Sequence, residues 1–229
     1  MDLIAPKRRW LPRAPRDRWQ AAERRTLAIG AVAAAATAAA IFVEVGRVWR
    51  RGSAPLPRET DDLLGAAGEA VTETVEAAVV GYQDVSVWEN SMFNLLMSFV
   101  STAAIARGIA FLLRGRRTVG PFRDVRVGSH HIHHFIPGIV LAFVSGAAGI
   151  VTRDESLEPK LAIVFGSGMG LTLDESALLL EMDDVYWSRE GMLGVQITLA
   201  VVALMSALAL GLRFLRRGEQ LVLPHPELG

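Results

Sequence analysis

The sequence predicts an all-α fold: a polytopic transmembrane helical bundle of about five spans, with one amphipathic helix outside the membrane. Two observations carry this expectation. Hydrophobic residues make up 51% of the chain, with a mean hydropathy of +0.32. They also fall into blocks, at 26–43, 91–113, 132–152, 161–182 and 192–212, each approaching the ~20 residues that cross a bilayer. Met192–Leu212 contains no charged residue, whereas a helix of a soluble bundle keeps one polar face.

Composition narrows the chemistry. Lys+Arg and Asp+Glu balance at 24 each, so net charge favours no nucleic-acid partner and the lipid bilayer is the expected one. Cysteine is absent, which removes disulfides, iron–sulfur clusters, thiolate zinc sites and cysteine nucleophiles. A bound metal would have to use nitrogen and oxygen ligands.

Residues 1–25 read as a basic cytoplasmic arm, broken by Pro6, Pro12 and Pro15, with Trp10 and Trp19 at the headgroup level. A basic stretch before an apolar one also fits a cleaved signal peptide. Glu44–Val45–Gly46–Arg47 is a poor cleavage context, and the segment is read as retained. The first span, 26–45, is mostly alanine, a small-residue surface suited to close helix packing. A Pro-containing linker leads to residues 59–81, an amphipathic helix. Leu63, Leu64, Ala67, Val71, Val75, Ala78 and Val79 mark one side, and Asp61, Asp62, Glu69, Glu73 and Glu76 the other. An acidic face suits the protein's own outer surface, or a protein partner through residues 60–80, better than anionic lipid. The second span, 90–114, holds Arg107 well inside its apolar run. Such a charge either snorkels or meets an acid, and Asp174 or Glu175 is the expected ion-pair partner.

Residues 131–182 read as a transmembrane hairpin, with helices at about 132–152 and 161–182 joined by the polar turn 153–160. The second of these opens with Gly166, Gly168 and Gly170, a spacing that allows close helix approach or a local break. Ser167 does not sit in a Gly-x-Ser-x-Gly elbow. Tyr186 and Trp187 mark an aromatic belt. A fifth span covers 191–215, and 216–229 form a tail. Eight Lys/Arg precede the first span and five lie between the second and third, against four and two in the alternate connections. The positive-inside rule then puts the amino terminus in the cytoplasm. Arg213, Arg216 and Arg217 conflict with that assignment, since five spans place them outside.

Four of the five histidines, His130, His131, His133 and His134, fall within five residues at the mouth of the hairpin. Folding about residue 156 sets 138 opposite 174 and 131 opposite 181. On a helix, i, i+3 and i+4 share a face, so His130, His133 and His134 converge while His131 points partly elsewhere. Asp174, Leu178 and Glu181 form a facing stripe continued by Asp184, with Glu175 off it. Histidine with carboxylate suits a divalent metal, Fe, Zn or Mn. The predicted ligands are His130, His131, His133, His134, Asp174, Glu181 and Asp184, with Asp174 or Glu175 as a proton acceptor.

His130-x-x-His133-His134 resembles one histidine box of the membrane di-iron desaturases and hydroxylases. Those families carry three boxes and this chain one, so the resemblance implies carboxylates in place of the other histidines. More broadly, His131-x-His133-His134-Phe135-x-x-Gly138, then Gly168-x-Gly170-Leu171-x-Leu173-Asp174-Glu175 and Tyr186-Trp187, is similar to uncharacterised small bacterial integral membrane proteins over about residues 128–190. That resemblance implies a multi-pass protein of the bacterial inner membrane and no known activity.

Three functions fit these residues: a metalloenzyme acting on a lipid-soluble substrate, a transport or proton-relay component using Arg107, Asp174 and Glu175, and a structural or sensory subunit of a membrane complex. The sequence leans to metal binding and leaves turnover open.

Overall fold

The computed structural model describes residues 16–113, 118–119, 122–123, 126–127, 130–131, 135–174 and 189–223, with side chains at 24, 28–109, 136–173 and 195–223. Among the described residues the chain is a helical bundle of α1 (Arg16–Trp49), α2 (Leu63–Asp84), α3 (Val87–Leu113), α4 (Phe135–Val151), α5 (Glu158–Asp174) and α6 (Arg189–Val222). Two-residue antiparallel pairs lie between α3 and α4: β1 (Thr118–Val119) with β2 (Phe122–Arg123), and β3 (Arg126–Val127) with β4 (His130–His131). Ala28–Trp49, Val87–Ile109 and Val195–Val222 are each long and apolar enough to cross a membrane. The protein is an integral membrane protein on that basis. The hairpin helices α4 and α5 are 17 residues each, at the short limit of a span.

Lipid gives apolar side chains little reason to associate, so membrane helices hold together by close packing. Glycines on two faces of α5 provide it. Gly166 and Gly170, one turn apart, face α3: a Cβ on Gly170 would lie 2.8 Å from the Phe99 carbonyl oxygen, and one on Gly166 would meet Leu95. Gly168, two positions on and therefore on the other side, faces α4, where a Cβ would lie 2.6 Å from the Ala142 nitrogen. Gly138 of α4 answers it: a Cβ there would stand 2.8 Å from both Leu171 Cβ and Thr172 Oγ1. The hairpin is therefore antiparallel, and Gly138 meets α5 two to three residues before the expected Asp174. α5 runs unbroken through its glycines, so they serve approach and not a break.

The expected helix start at about 132 moves to Phe135. Pro137 explains the shift: it lacks an N–H and its ring crowds the carbonyl four residues back, so it fits only a first helical turn. A helix running through His133 would place that residue's carbonyl against the ring. At the turn, the Ser156 backbone N–H donates to Asp154 Oδ1 (2.9 Å). The Ser156 hydroxyl and N–H together hold the Asp154 carboxyl below its ordinary range. That contact is present above the ordinary carboxylate value and is lost as pH falls through the lowered one.

Three further boundaries differ from expectation. α1 begins at Arg16, inside the expected arm, because Pro15 is the last proline before Pro55. α2 spans Leu63–Asp84 instead of 59–81; Asp62 caps it by accepting from the Gly65 N–H (2.9 Å). α6 continues to Val222 through the expected tail. It covers about 50 Å at 1.5 Å per residue, more than a bilayer core needs, and α2 packs along its far end.

α2 packs through its smallest residues and not through its larger apolar ones. Leu63, Leu64, Val71, Val75 and Val79 are exposed, and Ala66, Ala70, Ala77 and Gly81 are buried. The small face wins because it allows backbone-level contact. A Cβ on Gly81 would collide with the Phe214 carbonyl, and one on Gly218 with the Ala77 carbonyl. Val48, Ala77, Leu215 and Leu223 form the core of this layer. Beside it, Tyr82, Phe93 and Phe214 pack edge to face, with centroids 5.3 to 6.3 Å apart. Asn94 Nδ2 donates to the Tyr82 hydroxyl (2.9 Å) and to the Pro159 carbonyl (3.1 Å), tying α3 to α2 and α5.

Gly218→Val should therefore destabilise the protein by about 3 kcal/mol, the upper end of overpacking costs. A methyl at Gly68 meets nothing within 4 Å, so Gly68→Ala should be neutral or stabilising by about 0.5–1 kcal/mol. Thermal unfolding of the two variants in detergent measures the difference.

Candidate functional site

Contacts along the helices fix which ends meet. Arg107 Nη2 of α3 donates to Gln196 Oε1 of α6 (2.8 Å), while Arg213 of α6 pairs with Glu89 of α3 (3.0 Å). α3 and α6 are thus antiparallel. A Cβ on Gly30 would touch Ile197 (3.5 Å), and Arg47 pairs with Glu219 (2.5 Å), so α1 runs parallel to α6. One end of the bundle therefore gathers the carboxyl ends of α3 and α5 with the amino ends of α4 and α6. The other gathers the α4–α5 turn, the amino end of α3, the carboxyl ends of α1 and α6, and α2.

The start of α4, which follows the histidine run in sequence, and the last turn of α5 are both at the first end. Gln196 is its central described group: its amide oxygen accepts from Arg107 and its Nε2 donates to the Leu173 carbonyl (2.5 Å). That acceptor is a main-chain carbonyl, so the bond ties α6 to the backbone of α5. The bond joins α3, α5 and α6 one residue before Asp174, which ends α5. Arg107 thus reaches the part of α5 expected for its ion pair, through an amide. Sequence reasoning missed Gln196 because it searched the run 192–212 for charges; a lone amide inside an apolar span was the available signal.

His130 and His131 lie in β4, with His131 opposite Arg126 and His130 opposite Val127. The helical face drawn through His130, His133 and His134 therefore does not begin on a helix. Phe135 starts α4 directly after the histidine run. His133, His134, Glu175, Glu181 and Asp184 lie outside the described residues, as do Tyr186 and Trp187 and the side chains of His130, His131 and Asp174. Among the described residues no three potential ligand groups gather, and none of the predicted metal-ligating side chains is in that set. The hairpin brings the histidine-bearing strand and the end of α5 to one end of the bundle.

The opposite end carries a charge network with no counterpart in the sequence reading. Glu219, 3% exposed, receives Arg47 (2.5 Å) and Arg51 (3.3 Å). Arg47 also pairs with Glu44 (2.6 Å), and Glu44 reaches Arg216 (3.5 Å). Arg217 pairs with Asp84 (2.6 Å) and Arg213 with Glu89. Arg213, Arg216 and Arg217 of α6 all have partners on other helices. Each is matched by a carboxylate from α1, α2 or α3, so these arginines are not bare charges. A cleft of about 690 Å³ lies among Asp84, Ser86, Glu89, Arg213, Arg216 and Arg217.

Comparison of the chain with protein-family models, curated proteins and solved structures found no match.

Replacing Gln196 with leucine leaves the Leu173 carbonyl without this donor and removes one acceptor of Arg107. Interhelical hydrogen bonds in membranes are worth about 0.6 to 2 kcal/mol, so Gln196→Leu should destabilise by about 1 kcal/mol in thermal or denaturant unfolding. An unchanged midpoint would contradict the bridging role.

Proposed function

We propose that this integral membrane protein binds a divalent metal ion at the histidine end of the bundle. The single observation that carries the reading is the antiparallel packing of α4 on α5 through Gly138 and Gly168, since it sets the start of α4 and the last turn of α5 at one end of the bundle. The ligands in this reading are His130, His131, His133, His134, Asp174, Glu181 and Asp184. All are nitrogen or oxygen donors, a set that suits iron, zinc or manganese. The histidine-box resemblance makes iron the first metal to look for. A metal there would supply Lewis-acid or oxygen chemistry near a membrane face, within reach of a lipid-soluble substrate. Asp174 or Glu175 would accept a proton, and Arg107 would be an ion-pair partner for a nearby carboxylate. The basic stretches 1–25 and 114–129 favour the cytoplasmic side of a bacterial inner membrane for this end.

Detergent-purified protein should contain near-stoichiometric iron, zinc or manganese by elemental analysis, and His133→Ala/His134→Ala should lose it. Equal and negligible metal in both proteins would refute the site.

A second reading has its own observation. The link from Arg107 through Gln196 to the last turn of α5 is a polar path across three helices, as a proton relay or transport pathway requires. In that reading Asp174→Asn should abolish pH-driven flux in proteoliposomes, whereas a metal site alone predicts no flux in either protein.

A further inference from the structure

We propose that the cleft between the α2–α3 junction and the carboxyl-terminal part of α6 binds the phosphate of an anionic phospholipid. The position comes first. The uncharged run of α6 ends at Leu212, and Arg213, Arg216 and Arg217 follow at spacings that put them on one helical face. α3 enters its own apolar run just after Trp88, which is 66% exposed, as a residue at the headgroup level would be. Those two boundaries place the cleft where headgroups lie.

Its lining is two-sided. Ala209 and Leu212 give an apolar wall on the bilayer side, Val85 adds an apolar side chain at the α2–α3 junction, and Ser86, Gln220 and the three arginines give a polar wall. That is the division between an acyl glycerol and its phosphate. Each lining arginine has one carboxylate, and the ion-paired network they belong to holds Arg47, Arg51, Arg213, Arg216 and Arg217 against Glu44, Asp84, Glu89 and Glu219, an excess of one cation, which matches a monoanionic lipid.

The arginines also retain capacity. Their side chains are 69%, 63% and 54% exposed. Among the described residues each makes one side-chain contact, the Arg216–Glu44 approach being long at 3.5 Å. A guanidinium has five N–H donors in a planar fork that matches two phosphate oxygens. The carboxylates hold the forks around the cleft without consuming them. Charge pairs that only joined helices would have no need of an apolar wall or of so many remaining donors.

The test uses full-length protein in detergent, titrated with dioctanoyl phosphatidylglycerol, dioctanoyl phosphatidylcholine or inorganic phosphate, with binding read by native mass spectrometry and thermal shift. Wild type should prefer phosphatidylglycerol to phosphatidylcholine, and Arg216→Gln/Arg217→Gln should weaken that binding by about tenfold or more. Ala209→Trp keeps every charge at an exposed position and fills the apolar wall. It should weaken phosphatidylglycerol binding at a near-wild-type melting temperature, which separates loss of the site from loss of the fold. Equal affinity in wild type and both variants would overturn the proposal. So would protection by inorganic phosphate equal to that by phosphatidylglycerol, since the acyl portion would then contribute nothing.

Discussion

Two glycine faces on α5 are the constraint on which the arrangement depends. Between helices in lipid, apolar side chains merely exchange one hydrocarbon neighbour for another, so contact distance decides association. Gly166 and Gly170 bring the α3 backbone in on one side, and Gly168 with Gly138 brings α4 in on the other. With α5 held between them, the hairpin register follows. That register sets which residues share each end of the bundle. The Gly81–Gly218 approach repeats the device outside the apolar runs, where it attaches α2 to the end of α6.

Charge is then sorted to the ends. Ionisable groups inside a bilayer are costly unless they are paired or reach the interface. The bundle has an end rich in arginine–carboxylate pairs, from Glu44 through Arg217, and an end marked by Arg107, Gln196 and Asp174. The first is mostly reciprocal, and its buried member Glu219 is held by two arginines. Removing one partner of such a group leaves an uncompensated charge, which is why these networks constrain geometry even where their net stabilisation is small. At the second end the described polar groups are fewer, and the bond from Gln196 links three helices.

Much of the fold was legible in the sequence. Uncharged or nearly uncharged runs near 20 residues located α1, α3 and α6, and the polar turn around Asp154 separated α4 from α5. The Gly166–Gly170 spacing announced close packing. What escaped was governed by contacts between distant residues. Nothing local to Arg216, Arg217 and Glu219 distinguishes an ion-paired helix from a polar tail; the partners are in α1 and α2. The valines of α2 form the more hydrophobic stripe, yet the helix packs through Ala77 and Gly81, which are small enough to admit another backbone. The start of α4 at Phe135 puts Pro137 in the first helical turn, where proline is tolerated, and that preference was legible in the sequence. At the histidine end the sequence singled out Arg107, and it overlooked Gln196 because an amide adds nothing to a charge count.

The hairpin returns the histidine-bearing chain to the end where α5 finishes, and on this the functional reading stands or falls. Because the chain has no cysteine, nitroxide labels can be placed at will. Pulsed electron–electron double resonance in liposomes would compare a label at Ile136 paired with Leu173 against the same label paired with Ile163. The Leu173 pair should give the shorter distance, with the Ile163 pair separated further because it lies about 15 Å down the helix. The reverse order, or equal distances, would contradict the hairpin register and with it the shared end.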